Sequence, residues 1–225
     1  MIITADNFTS PEELRELLQA HKLDNYAESF AEQMMLYEAA IKTLNATLEI
    51  LDGEFHSKND YNPIHHIESR LKTPRSIFNK LDKKGLPVTM ASIHDNLTDI
   101  AGIRVICNYI DDAYRIGDLL IAHNDITLLE KKDYIASPKP SGYRSLHLIV
   151  EVAVYLSRGI VHVPAEIQIR TIAMDYWATL EHRLKYKNEG RVPPDLHGKM
   201  KSCSEELAEM EAKMQQIQRE TENYN

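Results

Sequence analysis

The chain of 225 residues is 43% hydrophobic, which is enough to bury a core in one domain with helical extensions. A formal net charge of −8 argues against a general nucleic-acid-binding protein, because such binding depends on the neutralisation of phosphates. Two cysteines cannot form a disulfide framework, no apolar run approaches a membrane span, and the first residues do not resemble a signal peptide, so we expect a cytoplasmic protein that does not bind membranes.

Two helices are predicted in the N-terminal part of the chain. The run Ser10-Pro11-Glu12-Glu13 has the form of a capping box with proline at the first helical position, so one helix begins there. A longer helix begins after Asp24, and Gly53 with the polar stretch to Pro63 is expected to end it. Its apolar residues follow heptad spacing: Phe30, Met34, Tyr37, Ile41, Leu44, Leu48 and Leu51.

The C-terminal segment has a second apolar seam with the same spacing. It consists of Met200, Cys203, Leu207, Met210, Met214 and Ile217. Each helix could pack on its own domain, or at least one of the two seams could join subunits.

The first half of the centre predicts a strand, a helix and a second strand. Residues Ile64–Lys72 alternate like a strand, and Thr73-Pro74 then opens a helix that ends at Gly85. Residues Gly102–Asn108 form a short apolar strand. Asp111 is expected to cap a helix over Asp112–Ala122.

A hairpin and a helix follow. Alternating apolar residues from Leu146 to Val154 predict a strand, and Ser157-Arg158-Gly159 forms a turn. The returning strand has Val161, Val163, Ala165, Ile167 and Ile169 inward, and its opposite face carries His162, Glu166, Gln168 and Arg170. A helix starts at Thr171 and continues to about Lys187. This interleaving predicts an α/β (α+β) fold with a mixed β-sheet flanked by helices.

Two acidic residues are candidates for a metal site. Glu166 and Gln168 are two apart on a strand, although a solvated outer face would produce the same pattern. Asp99 precedes a glycine turn into a buried strand, where α/β folds expose groups to ligands. Two carboxylates on neighbouring strand ends could hold a Mg²⁺ that keeps its waters and substrate phosphates.

Basic residues are concentrated between Ser69 and Gly85, in contrast to the glutamate-rich segment after Glu205. Arg70 and Lys72 share a strand face, and one face of the following helix carries Ser76, Lys80 and Lys83. The start of that helix offers free N–H groups to a phosphate, although an ordinary solvated basic helix would have the same pattern. A compact basic patch on an acidic protein suits a small polyanion. There is no glycine-rich Walker loop, which argues against P-loop chemistry.

The most informative segments are Lys139-Pro-Ser-Gly-Tyr-Arg-Ser-Leu-His147 and Glu166-Ile-Gln-Ile-Arg-Thr171. They combine an aromatic ring, a histidine and cations at a glycine turn with a strand that presents a carboxylate, which suits a nucleotide. These segments resemble the synthetase domain of RelA/SpoT-type enzymes, and the short chain is similar to the stand-alone small alarmone synthetases.

The resemblance implies a nucleotidyltransferase-like synthetase domain that transfers pyrophosphate from ATP to the 3′-hydroxyl of GTP or GDP, releasing AMP, in stringent-response signalling. It divides the chain into an N-terminal helical extension (1–62), the synthetase domain (63–190) and a C-terminal helix (191–225). We find no hydrolase segment or regulatory domain, so we expect alarmone synthesis without degradation. Members of this family commonly form homotetramers, which agrees with the two apolar seams.

The resemblance also implies residue roles. Asp99 and Glu166 match the two acids that bind Mg²⁺, and Glu166 is also the general base. The expected ATP-binding residues are Arg70, Lys72, Ser76, Lys80, Lys83 and Arg104, and the planes of Arg70 and Arg104 enclose the adenine. The expected GTP-binding residues are Lys132, Lys139, Tyr143, His147, Gln168 and Asp175, and guanine stacks on Tyr143. Ser141 replaces the asparagine usual in long bifunctional relatives. Asp175, where relatives often carry asparagine, could accept hydrogen bonds from guanine N1–H and N2–H₂.

Two other functions remain open at this point. Some small relatives transfer pyrophosphate to the 3′ end of tRNA and act as toxins, and the chain could also be a catalytically silent nucleotide or RNA sensor. RNA binding would weaken steeply with salt, whereas nucleotide turnover would depend mainly on Mg²⁺. The ten histidines lack HExxH spacing, and no CxxC is present, so a designed zinc site is not expected.

Overall fold

A computed structural model describes residues 2–3, 19, 27–58, 61–187 and 194–222. The strands are β1 (Ile2–Ile3), β2 (Ile64–Leu71), β3 (Ala101–Cys107), β4 (Ile126–Asp133), β5 (Leu146–Leu156) and β6 (Gly159–Thr171). The helices are α1 (Ala27–Lys58), α2 (Pro74–Lys83), α3 (Met90–Asn96), α4 (Ile110–Ile121), α5 (Ile172–Lys187) and α6 (Pro194–Glu222). The helix predicted to begin at Ser10-Pro11 lies outside the described residues.

The strands form one mixed sheet in the order β1-β2-β3-β6-β5-β4. The pairs β1–β2 and β3–β6 are parallel, and the remaining neighbours are antiparallel. The predicted fold class, a mixed sheet flanked by helices, is therefore confirmed. Helix α1 lies across β2, β3, β5 and β6, and α4 packs on β3 to β6. One face of the sheet is thereby buried, and the opposite face remains available for polar side chains.

The apolar seam of α1 packs against the sheet of its own chain. Phe30, Tyr37, Ile41, Leu44 and Leu48 are buried in the same hydrophobic core as the inward residues of β3, β5 and β6. This seam is therefore part of the core, in agreement with the alternative that the helix packs on its own domain. The seam of α6 differs, because Met210 is 62% exposed, Met214 49% and Ile217 54%.

Helix α1 ends inside the stretch from Gly53 to Pro63 that was expected to end it, whereas the predicted start of α4 is wrong. Helix α1 continues through Gly53 to Lys58, because the buried side chain of Phe55 anchors the last turns, with the Arg115 guanidinium 4.9 Å from its ring centroid. A glycine in a helix costs only about 1 kcal/mol, which such packing can offset. Helix α4 begins at Ile110, and the carboxylate of Asp112 accepts the Tyr109 N–H at 3.1 Å.

Asp111 is thus not the cap of α4. It lies inside the helix and binds α6 instead: its N–H donates to Gln215 Oε1 at 3.0 Å, and its carboxylate accepts from Arg219 at 2.6 Å. By contrast, the predicted start of α2 is confirmed, since Thr73 Oγ1 accepts the Ser76 N–H at 3.3 Å. Gly85 follows that helix with φ of 67°, a conformation that favours glycine.

Within the described part of the chain, none of the helices is long and apolar enough to cross a membrane.

Candidate active site

The polar face of the sheet carries a row of side chains that crosses five strands. Register partners place these residues side by side: Glu68 of β2, Arg104 of β3, Gln168 of β6, His147 of β5 and Lys132 of β4. The neighbouring row contains Arg70, Gly102 and Glu166. Because side chains two apart on a strand share a face, both rows project from the same side of the sheet.

A cavity of about 380 Å³ opens over these rows. It is lined by His66, Glu68, Ser69, Arg70, Lys72, Asp99, Gly102, Ile103, Arg104, Glu166 and Gln168. Gly102 lies between Arg70 and Glu166 in its row, so the lack of a side chain there keeps the floor of the cavity open. Charged groups of both signs thus surround a space that can hold part of a charged ligand.

Asp99 precedes β3 and is held by two lysines. The Nζ atoms of Lys72 and Lys80 each lie 2.5 Å from its Oδ2, and its Oδ1 is buried with no hydrogen-bond partner among the described residues. Burial would raise the pKa of Asp99, but the hydrogen bonds from Lys72 and Lys80 outweigh it and hold the pKa below its usual value. Asp99 is therefore an ionised carboxylate with one oxygen still free to bind a ligand.

Glu166 is held by two hydrogen bonds from neighbouring strand positions. His147 Nδ1 lies 3.0 Å from Oε1, and Gln168 Nε2 donates to Oε2 at 2.9 Å. Burial would raise the pKa of Glu166, but the contact with His147 and the Gln168 amide lower it below its usual value. Glu166 is ionised in the neutral pH range and can accept a hydrogen bond from a substrate hydroxyl.

These hydrogen bonds belong to a closed ring of five side chains. Arg170 Nη2 donates to the Tyr143 hydroxyl at 2.8 Å and to Gln168 Oε1 at 2.9 Å. The Tyr143 hydroxyl lies 2.8 Å from His147 Nε2. Because the Glu166 carboxylate can only accept, His147 Nδ1 carries the proton, and in the neutral ring Nε2 accepts from Tyr143. Every donor therefore points from Arg170 towards Glu166.

Tyr143 lies in a tight turn, residues 139–144, which we call the Gly142 turn. Gly142 has φ of 93°, a conformation that few other residues adopt, and its N–H donates to Lys139 O at 2.8 Å. The Lys139 ammonium lies 4.9 Å from the Tyr143 ring centroid and 4.5 Å from that of Tyr134. The turn thus presents an aromatic ring with a cation at its face.

Within the cavity, acidic residues orient Arg104. Its Nη1 donates to Glu68 Oε2 at 3.0 Å and lies 3.6 Å from Asp175 Oδ1. Arg170 Nη1 donates to the same oxygen of Asp175 at 2.9 Å. Asp175 therefore connects the two arginines, which the sequence reasoning did not anticipate.

The structure brings most of the predicted site residues together. Arg70, Lys72, Asp99, Arg104, Glu166 and Gln168 line the cavity, and Lys80 contacts Asp99. Four further predicted residues lie beside the cavity and are linked by contacts with one another or through Arg170: Lys139, Tyr143, His147 and Asp175. Ser76 lies at the start of α2. Lys83 is exposed and does not line the cavity, and Lys132 is paired with Glu130 at 2.9 Å.

Several residues of the site were missed. Glu68 and His66 line the cavity, and the alternation of β2 that selected Arg70 and Lys72 would also have selected them. Arg170 continues the polar face of Glu166 and Gln168 but was not assigned to the site. Tyr134 gave no sequence signal, because its ring contact with Lys139 depends on the Gly142 turn.

Residues 69–191 match the family model described as a region found in RelA/SpoT proteins. GTP pyrophosphokinase YwaC of Bacillus subtilis (strain 168) is 40% identical over 200 residues, which cover 89% of this chain and 95% of that protein. The solved structure of small alarmone synthetase 2 from Bacillus subtilis has a TM-score of 0.75 and 42% identity, with 83% of this chain and 97% of that chain covered. Small alarmone synthetase 1 from the same organism, bound to its product pppGpp, has a TM-score of 0.79 and 34% identity, with 86% and 98% covered.

Proposed function

Because this chain belongs to the RelA/SpoT family, as its sequence motifs suggested, we propose that it is a GTP pyrophosphokinase that makes (p)ppGpp. It transfers the β,γ-pyrophosphate of ATP to the 3′-hydroxyl of GTP or GDP and releases AMP. The observation that carries this proposal is the cavity lined by the ionised carboxylates Asp99 and Glu166 and by the cations of Arg70, Lys72 and Arg104. The Gly142 turn lies beside it, joined to Glu166 through His147, so one nucleotide can enter the cavity while a second lies at the turn.

We assign the arginine-lined cavity to ATP. The guanidinium planes of Arg70 and Arg104 suit an adenine ring, and Glu68 holds Arg104 in place through a 3.0 Å hydrogen bond. Lys72 and Lys80 offer cations to the phosphates. Ser76, in the first turn of α2, lies where free N–H groups and the positive end of the helix dipole favour an anion, and Lys83 is assigned to the same phosphates from the more exposed side.

We assign the Gly142 turn and its neighbours to the acceptor nucleotide. Guanine stacks on Tyr143, while Lys139, Lys132 and His147 lie near the phosphates or ribose. Gln168 supports this site through its hydrogen bonds to Glu166 and Arg170. Arg104 and Arg170 both approach Oδ1 of Asp175, so we propose that Oδ2 accepts hydrogen bonds from guanine N1–H and N2–H₂.

We propose that Mg²⁺ binds between Asp99 and Glu166. The fit rests on their oxygen chemistry and on Asp99 Oδ1, which is buried without a hydrogen-bond partner among the described residues. When bound, the metal ion would offset negative charge on the phosphate oxygens. Two carboxylates suit a Mg²⁺ that retains several waters and takes its remaining ligands from substrate phosphates.

The protein itself positions the reacting groups. Glu166 accepts the proton of the acceptor 3′-hydroxyl, and the 3′-oxygen attacks the β-phosphorus of ATP in line with the departing AMP. Lys72, Arg70 and the other cations stabilise the charge that develops on the transferred group. His147 and Gln168 hold the Glu166 carboxylate in place, so little reorganisation is needed during the reaction.

We also propose a cytoplasmic homotetramer. The exposed stripe of Met210, Met214 and Ile217 on α6 supports a contact between copies, because such apolar stripes mark interaction surfaces. We further propose that the chain consists of a synthetase domain at residues 63–190, flanked by the helical segments 1–62 and 191–225. Light scattering on the purified protein measures the mass of the assembly and tests the tetramer.

The decisive experiment incubates purified protein with Mg²⁺, ATP and GTP and separates the products by anion exchange. We expect AMP to appear in step with a guanosine nucleotide bearing a 3′-pyrophosphate. The Glu166→Gln variant should lack both products, whereas Glu49→Gln, an exposed glutamate of α1, should retain them. Nucleotide binding without AMP formation would contradict the proposal, and the same assay with tRNA as acceptor would then be the next test.

A further inference from the structure

The C-terminal helix α6 holds the Gly142 turn from outside the cavity. The hydroxyl of Ser204 donates to the carbonyl oxygen of Gly142 at 2.5 Å, and Ser204 is only 5% exposed. A Cβ atom added to Gly142 would lie 2.8 Å from the Cβ of Ser204. The helix and the turn are therefore in such close contact that the helix restricts where the turn can lie.

Glu211, two helical turns further along α6, makes a second attachment. Its Oε2 accepts a short hydrogen bond from Arg144 Nη1, and its Oε1 accepts one from Thr171 Oγ1. The Arg144 and Glu211 side chains are each 10% exposed. Because Arg144 follows Tyr143 and Thr171 follows Arg170, one carboxylate fixes the turn relative to the end of β6.

The ring of hydrogen bonds around Glu166 depends on this spacing. The Tyr143 hydroxyl lies 2.8 Å from both His147 Nε2 and Arg170 Nη2, so a small displacement of the turn would break both contacts. We propose that Ser204 and Glu211 are positioning residues, which act through the Gly142 turn to hold the aromatic platform of the acceptor nucleotide. This inference rests on the proposed assignment of that turn to the acceptor.

The contacts of α6 predict which substrate is affected. Its described hydrogen bonds to the rest of the chain go to the Gly142 turn, Thr171, Asp111 and Trp177. None of these contacts involves Arg70, Lys72 or Arg104, which line the cavity. Loss of the attachment should therefore weaken acceptor binding and leave ATP binding unchanged.

The test compares Ser204→Ala and Glu211→Gln with a matched control, Glu209→Gln. Glu209 lies on the exposed side of the same helix, so its substitution removes an equal charge without touching the turn. We expect the KM for GTP to rise about tenfold in both test variants, equivalent to about 1.4 kcal/mol, while the KM for ATP stays within about twofold. The control should behave as the unmodified protein.

A double-mutant cycle adds a readout that a general loss of stability would not produce. Arg144→Gln combined with Glu211→Gln should raise the KM for GTP no more than the worse single variant, because both act through one contact. Unchanged GTP affinity in Ser204→Ala and Glu211→Gln would overturn the proposal. An equal rise in both KM values that follows a fall in Tm would also overturn it, since the role would then be structural.

Calorimetric titration of each variant with GTP separates this inference from the proposed function, because binding needs no turnover. If the unmodified protein binds GTP but forms no AMP, the proposed function fails, whereas weakened GTP binding in Ser204→Ala would still support the positioning role. Normal turnover in every variant, with unchanged GTP titrations, would leave the proposed function intact and contradict the positioning role alone.

Discussion

The ring nitrogen Nδ1 of His147 lies 3.0 Å from Oε1 of Glu166 and joins β5 to β6 on the polar face of the sheet. The two residues are nineteen positions apart in the sequence but only two register positions apart across the strands, since His147 pairs with Gln168. The contact stabilises the charged form of Glu166 in a largely buried position. The chemistry of the carboxylate therefore depends on a neighbouring strand as well as on its own.

Replacement of His147 by phenylalanine should shift the pH dependence of turnover. Burial raises the pKa of Glu166, and the hydrogen bond from His147 helps to lower it, so the variant should have a higher Glu166 pKa. Because the base must be ionised, kcat should fall with decreasing pH at a higher pH than in the unmodified protein. A pH–rate profile measures this shift. The control is Tyr134→Phe, which keeps the ring that packs against His147. The prediction would be contradicted if kcat fell at the same acidic pH in His147→Phe as in the unmodified protein.

Asp99→Asn should reduce both activity and stability. The substitution leaves the ammonium groups of Lys72 and Lys80 without their carboxylate, and we expect a loss of about 1–3 kcal/mol in the free energy of unfolding at pH 7. The pKa of Asp99 is lowered in the folded protein, so its stabilising effect is present above its unfolded pKa and disappears as the pH falls through the folded pKa.

Urea titrations of the unmodified protein and of Asp99→Asn at several pH values test this point. The two stabilities should converge in acid, where the native carboxylate becomes protonated. A difference between them that stays constant from neutral pH into acid would show that the charge of Asp99 does not contribute.

Gly102→Ala should weaken ATP binding without unfolding the protein. The added methyl group would project between Arg70 and Glu166 into the cavity and lie 3.4 Å from the Arg70 carbonyl oxygen. We expect the KM for ATP to increase and the stability to change by no more than about 1 kcal/mol. Steady-state kinetics with a thermal melt measures both. Gly53→Ala, at an open helical position, controls for the general effect of replacing a glycine.

The hydroxyl and the ring of Tyr143 should make separable contributions. Tyr143→Phe keeps the stacking surface but loses the contacts with His147 and Arg170, which should cost about 1 kcal/mol in GTP binding. Tyr143→Ala also removes the ring, and base stacking contributes a further 1–3 kcal/mol or so. Titration with GTP and with ATP distinguishes the two effects. Equal GTP affinities for both variants would show that guanine does not stack on this ring.

The sequence alone correctly predicted helix boundaries and strand faces where local residue types determine the backbone conformation. Thr73-Pro74 and Gly85 correctly bound α2, and strict alternation in β6 placed Glu166 and Gln168 together on the polar face. Helix α3 was missed because its seven residues are too few for a periodic pattern. Strand β4 was missed because a register shift between Leu128 and Glu130 interrupts its alternation.

The contacts of the site were harder to predict than its residues. The pairing of Asp175 with Arg170 joins a helix to the end of a strand, and no spacing rule in the sequence encodes it. The packing of Ser204 against Gly142 links positions sixty-two residues apart. Such contacts depend on how α5 and α6 pack on the sheet, and this information lies in the tertiary structure.

The row that crosses five strands has a geometric consequence for the reaction. Four inter-strand spacings of about 4.8 Å separate Glu68 from Lys132, so the two ends of the row are about 19 Å apart. Main-chain hydrogen bonds between strands set this span, and side-chain substitutions leave it unchanged. Evolution could therefore alter the base or phosphate recognised at either end of the row while the separation between the two ends stays constant.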